Sequence, residues 1–218
     1  MITVKSFCFN SFEENTYVLS DPTGECVIID PGCMMPDEEV ELAHYIDGHH
    51  LRPVRLLNTH CHIDHILGNR FVASRYQLGL EIHEGEIPVL ASSDQVSKMY
   101  QIALNPSPQP SAYLKPGQLI KFGASELQIL FTPGHSPGSV SFFSKADQFV
   151  ISGDVLFERS IGRTDLPGGN YDTLIESIVK ELLPLGDDVV VYSGHGNPTT
   201  IAAEKRFNPF LREHTQDF

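Results

Sequence analysis

The sequence has no run of eighteen or more apolar residues, the span a helix needs to cross a bilayer. A membrane-embedded protein is therefore not expected. The opening MITVKSFCFNSFEEN lacks both a charged start followed by a long apolar core and a small-residue cleavage site, so the expectation is an unexported, cytoplasmic protein. Basic residues are scarce: 15 Lys and Arg stand against 28 Asp and Glu, a formal net charge of −13 at pH 7. Nucleic-acid affinity is built from Lys and Arg that displace counterions, and these are also scattered, which argues against a phosphate-backbone partner. The four cysteines, Cys8, Cys26, Cys33 and Cys61, show no CxxC spacing. They read as reduced thiols, not as a disulfide framework or a thiolate zinc site.

What is present is enough chain, 218 residues, to bury a large core as one domain spanning 1–218. Strand patterns occur at ITVKSFCF, NTYVLS, ECVIIDPG and VRLLNTH, the first three as a meander with DPTG turning between the second and third. PDEEVELAHYIDGHH begins with Pro36 and acids and carries Val40, Leu42, Ala43 and Ile46 near helical spacing, which predicts a helix crossing to the fourth strand. A second helix is expected over ILGNRFVASRYQLG, ended by Gly79, and then a short strand LEIH.

Residues 92–116 hold four prolines and few core positions. They read as an excursion from the scaffold, a lid with Met99, Tyr100 and Tyr113 as candidate substrate contacts. Four more strand patterns follow, QLIKFG, ELQILFT, GSVSFFS and DQFVISGD, then a helix YDTLIESIVKELLPLG, a strand DVVVYSGHG and a short helix TTIAAEKRF. The order is that of an α/β protein, with two sheets and helices outside them.

The stretch LLNTHCHIDHILGN, residues 56–69, places His60, His62, Asp64 and His65 within six positions, directly after an apolar run. His60 and His62 are two apart on chain leaving a strand, so their imidazoles point the same way. A helical zinc motif would space them four apart. Asp64 and His65 follow where the chain turns toward a helix. Each residue alone fits a surface turn with Asp64 as a cap; four crowded together do not, because unpaired imidazoles and a carboxylate at a strand end are a liability without a ligand.

Three later segments repeat the local grammar: FTPGHSPGS, VISGDVLF and VYSGHGNP put His135, Asp154 and His195 just after strands, flanked by Gly or Pro that let backbone bend around a small centre. His44, His49, His50, His83 and His214 lack this framing and are assigned no role.

In this order and over almost the whole chain, THCHIDH, PGHSPGS, SGD and GHG resemble the metallo-β-lactamase fold superfamily, and within it the glyoxalase II-like hydrolases. The resemblance implies an αββα sandwich of two mixed sheets with a two-metal centre along one edge. His60, His62 and His135 would hold one divalent ion, Asp64, His65 and His195 the other, and Asp154 would bridge. The donors suit zinc, iron or manganese, with zinc the working expectation. The ions would make an anion-attracting site inside a negative molecule.

Asp30 in VIIDPG resembles the family's upstream Asp that supports the histidine loop from behind; a plain Asp-Pro turn is the other reading. Cys61, between two ligands, is expected as a buried structural thiol. SIGRTDLPGG resembles a segment of compact glyoxalase II-like proteins and of persulfide dioxygenases; Arg163 and Asp165 there either brace the loop or offer Arg163 to a substrate carboxylate.

The activity implied is cleavage of a small-molecule thioester by a metal-bridging hydroxide, which Asp64 both helps hold and orients. A thioester suits such a site because a thiolate leaves without a proton donor. A β-lactam nitrogen needs protonation, for which no residue is marked. The alternative of the same fold is a mono-iron persulfide dioxygenase. Full-length glyoxalase II contacts glutathione through a further helical domain; no such domain is expected after FNPFLREHTQDF, so the resemblance implies no particular thiol carrier.

Overall fold

The computed structural model describes residues 1–213. Alternation sets the first strand: in β1 (Thr3–Phe9) Phe7 and Phe9 turn inward while Cys8 faces water. It pairs antiparallel with β2 (Glu14–Ser20), and β2 with β3 (Glu25–Ile29), as a meander. Every residue of β2 is buried, because the sheet is covered on both faces. Helix α1 (Pro36–Gly48) starts with Pro at its first position, and the Glu38 carboxylate accepts from the free backbone N–H groups of Met34 and Met35 at 2.7 and 2.9 Å. Leu42, Ala43 and Ile46 are its buried face.

α1 carries the chain to β4 (Arg52–Leu57), parallel to β3. The histidine and aspartate cluster comes next, leading into a one-turn helix α2 (Ile63–Ile66), before α3 (Asn69–Tyr76) and β5 (Leu80–His83), parallel to β4. Helix α4 (Ile87–Tyr100) leads to β6 (Pro110–Leu114), which pairs parallel with β5 and completes a six-stranded sheet in sequence order.

The second sheet begins with antiparallel β7 (Leu119–Phe122), β8 (Ser125–Phe131), β9 (Val140–Ser144) and β10 (Phe149–Gly153). A ribbon of β11 (Leu156–Phe157) and β12 (Ser160–Ile161) precedes α5 (Tyr171–Ser177). Then β13 (Val190–Ser193) runs parallel to β10, with β14 (Thr199–Thr200) at the edge and α6 (Ile201–Phe207) after it. The order is β14-β13-β10-β9-β8-β7.

Three apolar layers hold this together. Between the sheets, Tyr17, Leu19, Ile29 and Leu57 meet Ile120, Phe122, Phe142 and Ile151. Outside the first sheet, Val18, Ile28 and Leu56 pack on Leu42, Ile46, Ile66 and Val72. Outside the second, Val150 and Val191 pack on Leu174, Ile178 and Leu182. Helix, sheet, sheet, helix is the αββα sandwich expected from the motifs.

Three expectations are corrected. The helix after the cluster is split into α2 and α3 and ends at Tyr76, because Gln77 already takes the left-handed conformation (φ +56°) that Gly79 was expected to supply. Residues 92–116 are largely scaffold: their first part is the end of α4 and residues 110–114 are a sheet strand, which leaves 101–109 as the irregular link between them. The helix at 171–186 is α-helical only to Ser177 and widens into a π-helical turn over Ile178–Leu182. Pro184 lacks an N–H and its ring crowds the carbonyl four residues back, so a regular α-helix cannot continue through it.

Candidate metal centre

Every candidate ligand lies beyond the carboxyl end of a strand. His60, His62, Asp64 and His65 follow β4, His135 follows β8, Asp154 follows β10 and His195 follows β13. One strand of the first sheet and three of the second thus deliver seven side chains to one edge of the sandwich. The sheets are joined there by the Val140 N–H donating to the Thr59 carbonyl at 2.9 Å. A break in the β10–β13 register between Ile151 and Gly153 re-aims the chain just before Asp154. Gly153 sits at φ +54°, where a side chain would also run into Thr59.

The donors fall into the expected two sets. One ring nitrogen each from His60, His62 and His135 lies within 4.8 Å of the others, and the same holds for ligand atoms of Asp64, His65 and His195. His62 Nδ1 and His135 Nε2 are 2.8 Å apart; two imine-type nitrogens at that distance need a proton or a cation between them. His195 Nε2 is 3.1 Å from Asp64 Oδ2, and His65 Nε2 is 3.6 Å from it. Asp154 reaches both sets: its Oδ2 is 3.5 Å from His135 Nε2 and 3.5 Å from His195 Nε2, and its Oδ1 is 3.5 Å from His65 Nε2.

A bound cation fits these donors. His60 Nε2, His65 Nε2 and Asp154 Oδ1 are buried with no hydrogen-bond partner in the protein, a costly arrangement unless a ligand satisfies them. The opposite ring nitrogens are fixed. His135 Nδ1–H donates to the Arg163 carbonyl at 2.7 Å, His195 Nδ1–H to the Phe12 carbonyl at 3.0 Å, and His65 Nδ1–H to Asp30 Oδ2 at 3.1 Å. This sets each ring so that Nε2 is the nitrogen facing the centre, available to a cation once any proton on it has left. Gly194 completes the cradle: a Cβ there would lie 2.1 Å from Asp154 Oδ1. The centre is not sealed, since the Asp64, Asp154 and His195 side chains keep 14, 11 and 26% of their surface exposed.

Electrostatics divide the metal-free donors. Burial pushes His60 well down, His62 down to about 4 and His135 down, so these rings stay neutral. Burial acts on His65 in the same sense, but Asp154 and Asp64 outweigh it and hold the ring well above its usual value. At His195 burial is likewise outweighed by hydrogen bonds to Asp154 and Asp64, and the value rises to about 10. Against the effect of burial, His65 and His195 keep the Asp154 carboxyl well below the usual range. Two protons on imidazoles thus do part of the charge balancing that a cation would do.

Asp30 also comes within range of His60 and His65, but its oxygens are already engaged. Oδ1 accepts from Thr59 N–H at 2.7 Å and Asn58 Nδ2 at 3.2 Å, and Oδ2 from Thr59 Oγ1 at 2.5 Å and His65. It supports the histidine loop from behind, as one of its two sequence readings expected. Cys61 is buried on the helix side of the first sheet, its thiol pushed well up by burial, as expected of a structural thiol. Arg163 pairs bidentately with Asp165, at 2.7 and 2.8 Å, while its carbonyl holds His135; this is the bracing arrangement. His214 lies outside the described residues.

Sequence reasoning missed the supports. Glu86, fully buried, accepts from Cys61 N–H at 2.7 Å, from Ser136 Oγ at 2.6 Å and from Gly138 N–H at 2.7 Å, tying the His60/His62 loop to the His135 loop. Asn10 donates to the carbonyls of Gly32 and Asp64 at 2.9 and 3.1 Å. Asn15 Nδ2 donates to the Ser193 and Gly196 carbonyls on either side of His195. Glu14 is buried 3.8 Å from His65 Nδ1, its carboxyl pushed well up by burial. Their partners are remote in sequence, so no local pattern marks them.

The family model for the metallo-beta-lactamase superfamily matches residues 11–195. Among curated proteins, a probable metallo-hydrolase, YqgX of Bacillus subtilis, is 39% identical over 89% of this chain and 90% of its own. The hydroxyacylglutathione hydrolase GloC of Haemophilus influenzae is 35% identical over 92% of this chain and 94% of its own. Among solved structures, the B3 metallo-beta-lactamase BLEG-1 superposes with a TM-score of 0.89 at 34% identity, covering 96% of this chain and 100% of that one. A di-iron-bound form of TTHA1623 gives 0.84 at 34% identity, covering 95% and 100%. With seven His and Asp side chains gathered at the edge of an αββα sandwich and a family match over most of its length, the chain belongs to the metallo-beta-lactamase superfamily.

Proposed function

We propose that this protein is a binuclear metal-dependent hydrolase that cleaves a thioester into a carboxylic acid and a thiol. The observation that carries the binuclear reading is the position of Asp154, with oxygens 3.5 Å from histidines of both donor sets while one oxygen has no protein partner. His60, His62 and His135 would hold one divalent ion, and Asp64, His65 and His195 the other, with Asp154 between them. When bound, such ions supply Lewis acidity and lower the pKa of a coordinated water from 15.7 to about 7. Zinc is the working assignment, and the di-iron form of a structural relative supports iron as an alternative.

The chain's own residues do the rest. The carbonyls of Phe12 and Arg163 and the Asp30 carboxylate keep His195, His135 and His65 turned so that Nε2 of each faces the centre, where it would hold an ion, and the opposite N–H stays engaged with the protein. Asp64, whose side chain is partly exposed at the centre, would accept a hydrogen bond from the attacking water and aim it. In the reaction a C–O bond forms as the C–S bond breaks, and the sulfur leaves as a thiolate with no need of a proton donor. That economy, and the GloC relative's activity, favour the thioester over a β-lactam.

The test is cleavage of S-lactoylglutathione and S-acetyl-N-acetylcysteamine, followed by thiol release. Activity lost to a chelator and restored by zinc or iron is expected. Metal-loaded protein that cleaves neither thioester but hydrolyses a chromogenic cephalosporin would sink the assignment.

A further inference from the structure

The rim of the centre is chemically two-sided. On the His195 side, the Phe12 carbonyl that holds His195 brings its own ring to the surface, and Tyr100 at the end of α4 stands edge-on to it, centroids 5.8 Å apart at 86°. Phe157 is edge-on to His195 itself, at 6.3 Å and 78°. On the His135 side is the Arg163–Asp165 pair. Tyr100 thus stands on the ring of the residue whose carbonyl holds His195. It is 46% exposed, more than burial in a core would leave.

Resting on the thioesterase reading, we propose that Phe12, Tyr100 and Phe157 form an aromatic wall that selects thioesters carrying an apolar group beside the scissile bond. The rings supply flat apolar surface with little conformational freedom to lose. Charge points the same way. Asp165 already engages the rim guanidinium, so the rim's one nearby cation is held by a carboxylate of the chain itself and the wall beside it offers apolar surface to the substrate.

The experiment compares kcat/KM for three neutral thioesters: S-acetyl-N-acetylcysteamine, its S-phenylacetyl analogue, and S-benzyl thioacetate. The second places the apolar group on the acyl side and the third on the thiol side, so the pair shows which side meets the wall. The wild type should prefer at least one of them over the acetyl compound. Tyr100→Ala should cut that preference by about threefold to tenfold, the worth of one aromatic contact, and Tyr100→Phe should keep it. An unchanged preference in Tyr100→Ala overturns the wall, as does faster turnover of acetyl-coenzyme A than of every neutral thioester.

A wild type that cleaves no thioester defeats the thioesterase reading, and the wall is then judged by binding alone. The chain has no tryptophan, so Tyr100→Trp provides a lone indole. Its emission should shift with benzyl methyl sulfide and not with S-methylglutathione; no shift with the former overturns the wall.

Discussion

His195 holds its proton well above the usual imidazole range, and the sign of that shift makes a prediction. In the metal-free protein its value is raised to about 10 by Asp154 and Asp64 despite burial, against about 6.5 in the unfolded chain. A raised value means the folded state holds the proton more tightly. The stabilisation is fully present below pH 6.5 and is lost as pH climbs through about 10. Thermal unfolding of metal-free protein should therefore show a Tm that falls from pH 6.5 to 10, and His195→Gln should flatten the slope. A wild-type Tm constant across that range would contradict the assignment. Cation uptake at Asp64, His65 and His195 must expel those protons, so affinity for zinc should rise over the same window.

At the scale of elements, the sheets were legible because their strands alternate or run apolar between Gly and Pro. The ligand positions were legible for a related reason: THCH, GHS, SGD and GHG each follow such a strand. What escaped was α4 and β6. The helix buries little beyond Ser97, with Val89 and Leu90 only partly covered, so its sequence carries no strong 3.6-residue stripe. β6 is an edge strand opening on Pro110 and joined in parallel, with no hairpin turn to announce it. Yet α4 matters to the site, since the turn entering it carries Glu86 and its last residue is Tyr100.

Glu86→Gln should test that coupling between elements. The amide can still accept from Ser136 and Gly138, but its NH2 faces the Cys61 N–H, leaving a buried donor unpaired at a cost of about 1–3 kcal/mol. Because the two loops it ties bear His60, His62 and His135, affinity at that set should fall by about tenfold to a hundredfold, with the His65/His195 set affected less. Urea unfolding and a competitive chelator titration read the two effects separately. Loss of stability with both affinities intact would make Glu86 merely structural.

For the molecule as a whole, the αββα architecture brings residues from 60 to 195 to one edge, and an ion held by either donor set would bridge both sheets. Metal should therefore govern stability as well as chemistry. Each ion at a free concentration 100 times its dissociation constant adds about 2.7 kcal/mol, worth roughly 5–11 °C in a chain of this size. Stripping two ions should lower Tm in two steps, and elemental analysis of reconstituted protein should give two equivalents. His195→Ala then separates this reading from the mono-iron dioxygenase. With two sites, the substitution should leave one equivalent, remove one step in Tm and lower thioester turnover by at least about tenfold. In a mono-iron dioxygenase His195 is a bystander, so metal content stays near one equivalent and oxygen consumption with a persulfide barely changes. Wild-type protein that never exceeds one equivalent, cleaves no thioester, and consumes oxygen as fast as His195→Ala would overturn the hydrolase.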